Sequence, residues 1–319
     1  MTIDCLSSVT CCQKRTIGYY FVESMHHIGA LQGLVSMVNK SPDMPVIFTD
    51  LDGSLLDHYT YSFSAARPLL GKLESMSVPV IPVTSKTFAE VSKLRDTMKN
   101  SHPFITENGA AVFIPRGYFK KKPKDFSVEG NFWVLRNCQP RAFWLGLLWE
   151  KAADFADEYE SFTTIVKKDG VEGLAQLTGL STLQASLSHQ REHSEPIRWI
   201  GSERRKKAFI KTLSETGAKL LQGGRFLSLG GQANKGTALL QLQDIFKANF
   251  SSSNICSLAI GDSNNDIDML EVASSALIIK STNHKAPCVS RAGNTFLSDK
   301  PGPKGWVEGV SKWLNTFSF

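Results

Sequence analysis

The stretch PVIFTDLDGS, residues 45–54, decides how the chain is interpreted, because an apolar run ends there in two carboxylates. Residues 45–48 have the composition of a buried strand, and Asp50 and Asp52 follow closely. Two unpaired charges inside a strand would cost several kcal/mol, whereas open α/β sheets place their sites at the carboxyl ends of strands. A plain turn is the competing interpretation, since Asp and Gly are ordinary turn formers.

Two carboxylates one residue apart can share a divalent cation. Mg²⁺ takes oxygen ligands and usually only one or two carboxylates from the protein, which leaves positions for water and phosphate. Asp50 could then act as a nucleophile on phosphorus, because aspartyl phosphates are established covalent intermediates. The motif therefore favours phosphoryl chemistry with Mg²⁺ as the cofactor.

The sequence after this motif alternates between helical and extended patterns. Apolar residues recur at helical spacing from Ala66 to Met76, residues 78–83 form a short apolar run, and Thr87 with Glu90 has the form of a capping box. This alternation predicts a parallel sheet covered by helices. The predicted fold class is therefore α/β with a Rossmann-like core.

The pattern changes after residue 119, which indicates an insertion. Residues 120–222 mix helices with strands and predict an inserted α+β cap domain, whereas residues 45–119 and 223–319 form the catalytic core. Within the second core segment, Arg225–Leu229 is expected to resume the core sheet. Residues 1–44 show no clear periodicity, and two interpretations stay open: a disordered N-terminal extension, or a gene start placed too early.

Composition and charge exclude several protein classes. The chain has 319 residues, 42% hydrophobic and 21% charged, as expected for a globular protein of about two domains. A net charge of +6 suits an anionic substrate, and the basic runs at 120–122 and 204–207 resemble solvated faces without a nucleic-acid-binding signature. Six cysteines without CxxC spacing, and no membrane span or secretory signal, indicate a cytoplasmic protein that binds neither nucleic acid nor membrane. The oligomeric state is not specified.

A second acidic motif, GDSNND at 261–266, follows the apolar run at 258–260. Asp262 is placed to complete a metal site, and Asp266 to orient the ion or its waters, as supporting carboxylates commonly do. The competing interpretation is an Asp-rich cap of the helix that follows. Both interpretations can hold together, and the presence of two acidic strand ends favours function.

Two further positions fit phosphoryl transfer, in which the protein mainly positions groups and neutralises charge. Thr84 follows an apolar strand and offers a hydroxyl to phosphate oxygens. Lys235 opens an amphipathic stretch and could balance charge among the carboxylates and the phosphoryl group. The alternatives are a helix cap for Thr84 and an ordinary surface lysine for Lys235.

In order along the chain, DLDGS, VTSKT, NKG and GDSNND resemble the four motifs of the haloacid dehalogenase (HAD) superfamily of phosphatases. The insertion between the second and third motifs matches the larger-cap (type IIB) branch. The segments ENGAAVFIPRGYF, TGLS, REHSEP and GGRF are similar to those of the mannosyl-3-phosphoglycerate phosphatase family. The resemblance extends from Pro45 to about the Gly305-Trp306 region.

This resemblance implies separate roles for the four acidic residues. Asp50 would attack phosphorus. Asp52 would protonate the departing glycerate oxygen and then take a proton from the hydrolytic water. Asp50, the backbone carbonyl of Asp52 and Asp262 would hold Mg²⁺, with Asp266 in support.

The resemblance also implies that Thr84 and Lys235 bind the transferring phosphoryl group. Two positions depart from the usual family pattern. Ser54 stands where Thr is usual and keeps the hydroxyl, whereas Asn234 stands where Asp is usual before the lysine. The lost charge at Asn234 could alter the position of Lys235.

Substrate selection should lie in the cap, because a core shared by many phosphatases cannot distinguish sugars. Glu195 could accept hydrogen bonds from sugar hydroxyls, and Arg191 or Arg225 could pair with the glycerate carboxylate. An equally open alternative is that residues 191–196 form only a polar helix end and turn. The candidate substrate-binding residues are Asn108, Arg116, Arg191, His193, Ser194, Glu195 and Arg225.

Together these features predict a Mg²⁺-dependent phosphatase that converts mannosyl-3-phosphoglycerate to mannosylglycerate, a compatible solute, and phosphate. Glucosyl-3-phosphoglycerate and sucrose phosphate stay open as substrates, because an epimeric hydroxyl changes hydrogen bonding but not the outline of the site. A phosphomutase that retains a bisphosphate intermediate and a non-catalytic sugar-phosphate sensor are the remaining alternatives.

Overall fold

The computed structural model describes residues 43–223, 225–250 and 254–317. Of the predicted N-terminal extension, residues 1–42 lie outside the described residues, and only residues 43 and 44 are described. The strands are β1 (Met44–Thr49), β2 (Val80–Pro82), β3 (Phe104–Thr106), β4 (Ala111–Pro115), β5 (Ser127–Glu129), β6 (Phe132–Arg136), β7 (Tyr159–Ser161), β8 (Glu195–Trp199), β9 (Lys219–Gly223), β10 (Phe226–Gly230), β11 (Ile255–Gly261), β12 (Ser275–Lys280) and β13 (Thr295–Pro301). The α-helices are α1 (Arg67–Ser75), α2 (Phe88–Met98), α3 (Arg141–Lys151), α4 (Phe162–Thr178), α5 (Thr182–His189), α6 (Glu203–Ser214), α7 (Lys235–Asn249), α8 (Ile267–Val272) and α9 (Gly302–Leu314).

A five-stranded parallel sheet, in the order β13-β12-β11-β1-β2, forms the centre of the core. In β1, Ile47 packs into the apolar cluster on one face, and Val46 and Phe48 pack into the cluster on the other. A strand buried on both faces has a continuous apolar sequence, which explains the run at 45–48. Burial of a side chain such as Phe48 contributes about 1.5–3 kcal/mol. The predicted α/β class is confirmed.

Helices cover both faces of this sheet. Helices α1, α2 and α9 supply buried residues to the cluster that contains Ile47, and α7 and α8 supply them to the opposite cluster. The predicted capping box at the start of α2 is confirmed: Thr87 Oγ1 accepts from Glu90 N (3.1 Å), and Glu90 Oε2 accepts from Thr87 N (2.9 Å). Within the described ranges, no helix combines the length and the apolarity needed to cross a membrane.

A second sheet, antiparallel and in the order β3-β4-β6-β5, extends from the core. Phe113 of β4 pairs with Phe104 of β3 and with Val134 of β6, and the Phe104 and Phe113 rings stack with centroids 4.9 Å apart. Strands β5 and β6 lie in the segment 120–222 that the sequence assigns to the cap. Strand β6 instead pairs with β4, which precedes that segment, and β5 pairs with β6.

The third sheet, β7-β8-β10-β9, is antiparallel and packs with α3 and α6 around Phe209. The structure corrects the expectation that residues 225–229 resume the core sheet, because Leu227 pairs with Ile197 of β8 and Gln222 of β9. Burial alternates along β10, with Leu227 and Leu229 buried between less buried residues, as is typical of antiparallel strands with one face on a core. We therefore propose cap bounds of 137–231, from the end of β6 to the end of β10.

The topology brings the two acidic motifs to one edge of the core sheet. Strands β1 and β11 are parallel neighbours, and Thr49 pairs with Ile260. Asp50 and Asp262 therefore follow directly from the carboxyl ends of adjacent strands. An isolated bridge between Val83 and Ile105 brings the end of β3 to the same edge.

Candidate active site

Asp50 lies one residue beyond β1 and is almost entirely buried. Its backbone N–H donates to the carbonyl of Ile260 (2.8 Å), which continues the strand pairing into the site. Its Oδ1 accepts a hydrogen bond from Lys235 Nζ at 2.6 Å. Burial raises the pKa of Asp50 well above its ordinary value, and the Lys235 charge opposes that rise. Lys235 therefore favours the ionised form that a nucleophile requires.

Lys235 begins α7, and Asn234 caps that helix by accepting from Thr237 N at 2.8 Å. Asn234 thus keeps the capping function without the charge of an aspartate. Lys235 is fully buried, and its Nζ donates to Asp50 and Asp266 at 2.6 Å each. Burial opposes the ammonium charge, but the carboxylates of Asp266 and Asp50 outweigh it and raise the pKa of Lys235. Lys235 is therefore not an ordinary surface lysine.

Asp262, in the fourth motif, contacts Ser54 of the first motif. Ser54 Oγ donates to Asp262 Oδ1 at 3.4 Å, and His284 Nε2 lies 3.1 Å from Oδ2. Gly53 makes room for this contact, since a Cβ there would lie 2.6 Å from Asp262 Oδ2, and its φ of +81° favours glycine. Burial, and then the charge of Asp266, raise the pKa of Asp262 to about 6.

Asp266 has both carboxylate oxygens engaged. Oδ2 accepts from the backbone N–H groups of Asp262 and Ser263, each at 3.0 Å, and Oδ1 accepts from Lys235. Oδ2 also accepts from Ser263 Oγ at 3.3 Å, and four accepted hydrogen bonds leave this carboxylate little capacity to coordinate a cation. The geometry favours a supporting role for Asp266 over direct coordination.

The carboxylates of Asp50, Asp262 and Asp266 form a buried cluster, with one oxygen of each within 4.8 Å of the others. Lys235 supplies one positive charge to these three negative charges, which leaves an excess of two when all are ionised. Uncompensated buried charge is costly, and carboxylate oxygens are ligands that Mg²⁺ prefers. The residues present therefore fit a divalent, oxygen-preferring cation.

The Asp52 side chain lies apart from this cluster and lines a cavity above it. Its Oδ2 pairs with Lys86 Nζ at 2.9 Å, and that ammonium also lies 3.6 Å from Glu90 and 4.9 Å from the centre of the Tyr61 ring. Oδ1 of Asp52 is buried and has no hydrogen-bond partner within the described ranges. Lys86 and Lys235 thus engage different carboxylates, with Asp52 on the cavity side.

Thr84 and Ser85 follow β2 and occupy different positions. Thr84 is fully buried, and its Oγ1 accepts from Lys86 N at 3.2 Å. That bond leaves the hydroxyl hydrogen able to donate. Ser85 lines the cavity directly. Thr84 is not among the described residues that line the cavity, so Ser85 is the hydroxyl of this pair that the cavity exposes.

A cavity of about 790 Å³ separates the sheet edge from the cap, a volume in the range of small-molecule sites. Its core side is lined by Asp50, Asp52, His58, Ser85, Asn108, Asp262, Ser263, Asn264, Asn265, Asn283, His284, Lys285 and Ala286. Its cap side is lined by Phe162, Arg191, Pro196, Leu221, Gln222, Phe226, Leu227 and Ser228. The cavity is therefore polar and acidic on the core side, and largely apolar on the cap side.

Two of the predicted substrate residues, Arg191 and Asn108, reach this cavity. The Arg191 guanidinium donates from one nitrogen to the Ser85 carbonyl and to Ser194 Oγ, both at 3.1 Å. Its Nε is buried and meets no hydrogen-bond partner among the residues that the structure describes. Asn108 Oδ1 accepts from Asn265 Nδ2 at 3.2 Å. Arg191 therefore brings a positive charge from the cap to the second motif.

His193, Ser194 and Glu195 are buried behind the cavity wall formed by the described residues. Glu195 forms an ion pair with Arg141 and accepts from Thr163 N at 2.8 Å. Both carboxylate oxygens of Glu195 are thus committed inside the cap. The structure does not bring Glu195 to a position where it could accept hydrogen bonds from a sugar.

Arg225 and Arg116 are exposed and do not line the cavity as the described residues form it. Arg225 donates to the carbonyls of Leu177 (3.2 Å) and Thr178 (2.6 Å) on the cap. Arg116 follows β4 at the end opposite to Asn108. Between the two arginines proposed for the glycerate carboxylate, the structure favours Arg191 over Arg225.

The loop after β12 carries cavity residues that the sequence did not single out. Asn283, His284 and Lys285 line the cavity, and His284 contacts Asp262. Tyr59 Oη donates to Asn283 Oδ1 at 2.7 Å, which ties the loop to the segment after the first motif. Because this loop also begins at the carboxyl end of a parallel strand, the rule that singled out Asp50 would have found it.

Comparison with known proteins places this site in a family. Residues 204–289 match the haloacid dehalogenase-like hydrolase family. A glucosyl-3-phosphoglycerate/mannosyl-3-phosphoglycerate phosphatase of Methanococcoides burtonii is 33% identical over 265 residues, which cover 83% of this chain and 95% of the relative. Its counterpart in Persephonella marina is 34% identical over 278 residues, which cover 85% and 97%. The chain belongs to the glucosyl-3-phosphoglycerate/mannosyl-3-phosphoglycerate phosphatase family.

The fold agrees with this membership. A HAD-superfamily phosphatase from Bacteroides thetaiotaomicron matches with a TM-score of 0.61 over 90% of this chain and 100% of that one, at 17% identity. At such identity the match supports the fold alone. The family relationship confirms the resemblance identified from the four motifs, and the chain is a phosphatase of the HAD hydrolase type.

Proposed function

We propose that this enzyme is a Mg²⁺-dependent phosphatase that hydrolyses mannosyl-3-phosphoglycerate to mannosylglycerate, a compatible solute, and phosphate. The observation that carries the proposal is the buried Asp50 carboxylate, which Lys235 holds at 2.6 Å on the floor of a cavity of about 790 Å³. Glucosyl-3-phosphoglycerate is the second candidate substrate, because the curated relatives are named for both compounds.

Asp50 is the nucleophile in the first step. Lys235 holds Oδ1, and the other carboxylate oxygen attacks phosphorus while the bond from phosphorus to the glycerate oxygen breaks. Asp52 donates a proton to the departing oxygen, so mannosylglycerate leaves as an alcohol. The product on the enzyme is an aspartyl phosphate at Asp50.

Asp52 acts as a base in the second step. It takes a proton from a water molecule, whose oxygen attacks phosphorus while the bond from phosphorus to Asp50 breaks. Phosphate leaves, and both aspartates return to their starting states. The Lys86 ammonium, 2.9 Å from Asp52 Oδ2, orients this carboxylate on the cavity side, away from the cluster around Lys235.

Asp50, Asp262 and the backbone carbonyl of Asp52 would hold Mg²⁺, because Asp266 is already committed to Lys235 and two backbone amides. When bound, the cation neutralises charge on the phosphoryl oxygens and offsets the excess negative charge of the cluster. In this arrangement Asp50 contacts both Lys235 and the cation, whereas Asp266 binds Lys235 without coordinating the cation.

Arg191 binds the glycerate carboxylate in this proposal. Its guanidinium contacts the Ser85 carbonyl, one residue from the Thr84 hydroxyl that would bind the phosphoryl group. In a 3-phosphoglycerate unit, the carboxylate and the phosphate lie at the two ends of three carbons, so both must bind close together. The sugar on the middle carbon then faces the apolar cap side, where Phe226 and Leu227 lie.

A phosphate-release screen with Mg²⁺ tests the proposal across mannosyl- and glucosyl-3-phosphoglycerate, sucrose phosphate and simple hexose phosphates. We expect the highest kcat/KM with mannosyl-3-phosphoglycerate. Asp50→Asn should abolish release while the protein stays folded, and Asp244→Asn, at an exposed surface pair with Lys247, should retain full turnover. A preference for sucrose phosphate, or full turnover by Asp50→Asn, would reject the proposal.

The same screen separates the other reaction classes. A requirement for a sugar bisphosphate activator would indicate a phosphomutase, and tight binding of one sugar phosphate without release would indicate a sensor. We also propose a cytoplasmic setting, which is supported by free thiols at Cys138, Cys256 and Cys288. Fractionation of cells that express the full chain would test this location.

A further inference from the structure

The segment Glu107–Gly109, which begins the family-like stretch ENGAAVF, forms a buried turn with an unusual backbone. Its three residues have consecutive positive φ angles of 46°, 58° and 97°. A Cβ on Gly109 would lie 2.2 Å from the carbonyl oxygen of Asn234, so the turn packs against the start of α7. Non-glycine residues with positive φ, such as Glu107 and Asn108, are strained, and the surrounding structure must hold them in this conformation.

On the core side, the turn contacts the loops that carry the proposed catalytic groups. Glu107 N donates to the Lys86 carbonyl (3.0 Å), and Asn108 N donates to the Thr84 carbonyl (2.9 Å). The Asn108 side chain accepts from Asn265 in the GDSNND motif at 3.2 Å. The turn therefore connects the second and fourth motifs, and through Gly109 it also reaches the third.

On the cap side, the Glu107 carboxylate binds the loop before β8. It accepts from the backbone N–H groups of Glu192 (2.8 Å) and His193 (3.1 Å), and from Ser194 Oγ (2.5 Å). The guanidinium of Arg191 lies 4.0 Å away. One buried core carboxylate thus holds four consecutive residues of the cap.

We propose that Glu107 is a positioning residue that seats the cap on the catalytic loops and thereby places Arg191 over the cavity; this inference rests on the proposed phosphatase function. Ser194 Oγ links the two side chains, because it donates to Glu107 and accepts from Arg191 at 3.1 Å. Glu107 is not among the described residues that line the 790 Å³ cavity, so it acts through Arg191.

A pair of substrates that differ at one group tests this role. The first is mannosyl-3-phosphoglycerate, and the second is the matching mannosylglycerol 3-phosphate, in which CH₂OH replaces the carboxylate. Glu107→Ala should lower kcat/KM for the first by about 10- to 100-fold, as for loss of hydrogen bonds to a charged group, and leave the second nearly unchanged. The double variant with Arg191→Ala should be no worse than Arg191→Ala alone.

Glu160→Gln is the matched control. Glu160 pairs with Arg198 at 3.2 Å within the cap sheet and does not line the cavity as the described residues form it, so both substrates should keep their rates. If Glu107→Ala does not fold, Glu107→Gln replaces it. This variant presents an NH₂ to one of the donors and should show a smaller loss with the same substrate selectivity.

Equal losses on both substrates, or additive effects with Arg191→Ala, would overturn the proposal in favour of a purely structural role. If the wild-type enzyme releases phosphate from neither glycerate substrate, the proposed function fails, and hydrogen exchange decides the positioning role. Glu107→Ala must then raise amide exchange both at 191–194 in the cap and at 85–87 in the core. Faster exchange in the cap alone would overturn it.

Discussion

Replacement of Lys235 by methionine removes the ammonium that Asp50 and Asp266 share but keeps a side chain of similar length. In the folded protein this ammonium is fully buried and lies 2.6 Å from each carboxylate. Removal of one partner from a buried ion pair costs about 3–5 kcal/mol, because the remaining charges lose their compensation. We expect Lys235→Met to lower the free energy of unfolding of the metal-free protein by that amount. Loss of a charge-stabilising donor should also lower kcat by about 10²- to 10³-fold.

Chemical denaturation without divalent cations measures the stability change, and phosphate release with Mg²⁺ measures the rate. Lys247→Met is the matched control, because Lys247 pairs with Asp244 at 3.2 Å on the surface, where ion pairs contribute about 0–1 kcal/mol. The double variant Lys235→Met/Asp266→Asn should recover part of the stability but none of the activity. Unchanged stability and turnover in Lys235→Met would refute the role given to this ammonium.

Gly53→Ala should fold but lose activity and require more Mg²⁺, because the new Cβ would lie 2.6 Å from Asp262 Oδ2; Gly71→Ala, with open space at its Cβ, should keep full activity. Normal activity and Mg²⁺ dependence in Gly53→Ala would show that the loop tolerates the methyl group. Burial lowers the pKa of His102, so folding favours its neutral form. The stability that buried neutral His102 contributes is fully present above about pH 6.5, the pKa of an unfolded histidine. It is lost as the pH falls below that value. His102→Gln should therefore lose less thermal stability than the wild type between about pH 8 and pH 5.5, and equal losses would contradict this prediction.

The sheet edge that carries Asp50 and Asp262 could be predicted from the sequence because its signals are local. The run at 45–48 predicts a strand buried on both faces, and the position of Asp50 after it follows from chain order alone. Parallel strands share one polarity, so Asp262 had to lie at the same edge once β11 was recognised as a neighbour. The burial of Lys235 could not be predicted in this way, since its carboxylate partners lie 31 and 185 residues away in the chain.

The structure of the cap was less predictable, because its residues contact partners that are distant in the sequence. The apolar residues of β10 predict a strand, but they do not determine which sheet that strand joins. Glu195 has the chemistry of a sugar ligand, yet Arg141, 54 residues away, occupies it. Phe162 lines the cavity, but an apolar residue carries no sequence signal that marks it as part of a site. Site residues were therefore easier to predict in the core, where polar motifs mark them, than in the cap.

Formation of an aspartyl phosphate at Asp50 is the central claim, and its direct test is acid quenching of the enzyme during turnover of ³²P-labelled mannosyl-3-phosphoglycerate. Peptide mapping would then locate any covalent label. We predict an alkali-labile phosphoryl group on the peptide that contains Asp50, and no label in Asp50→Asn. The claim would be contradicted if the enzyme released phosphate steadily while the label was found on a residue other than Asp50. It would also be contradicted if Asp50→Asn released phosphate.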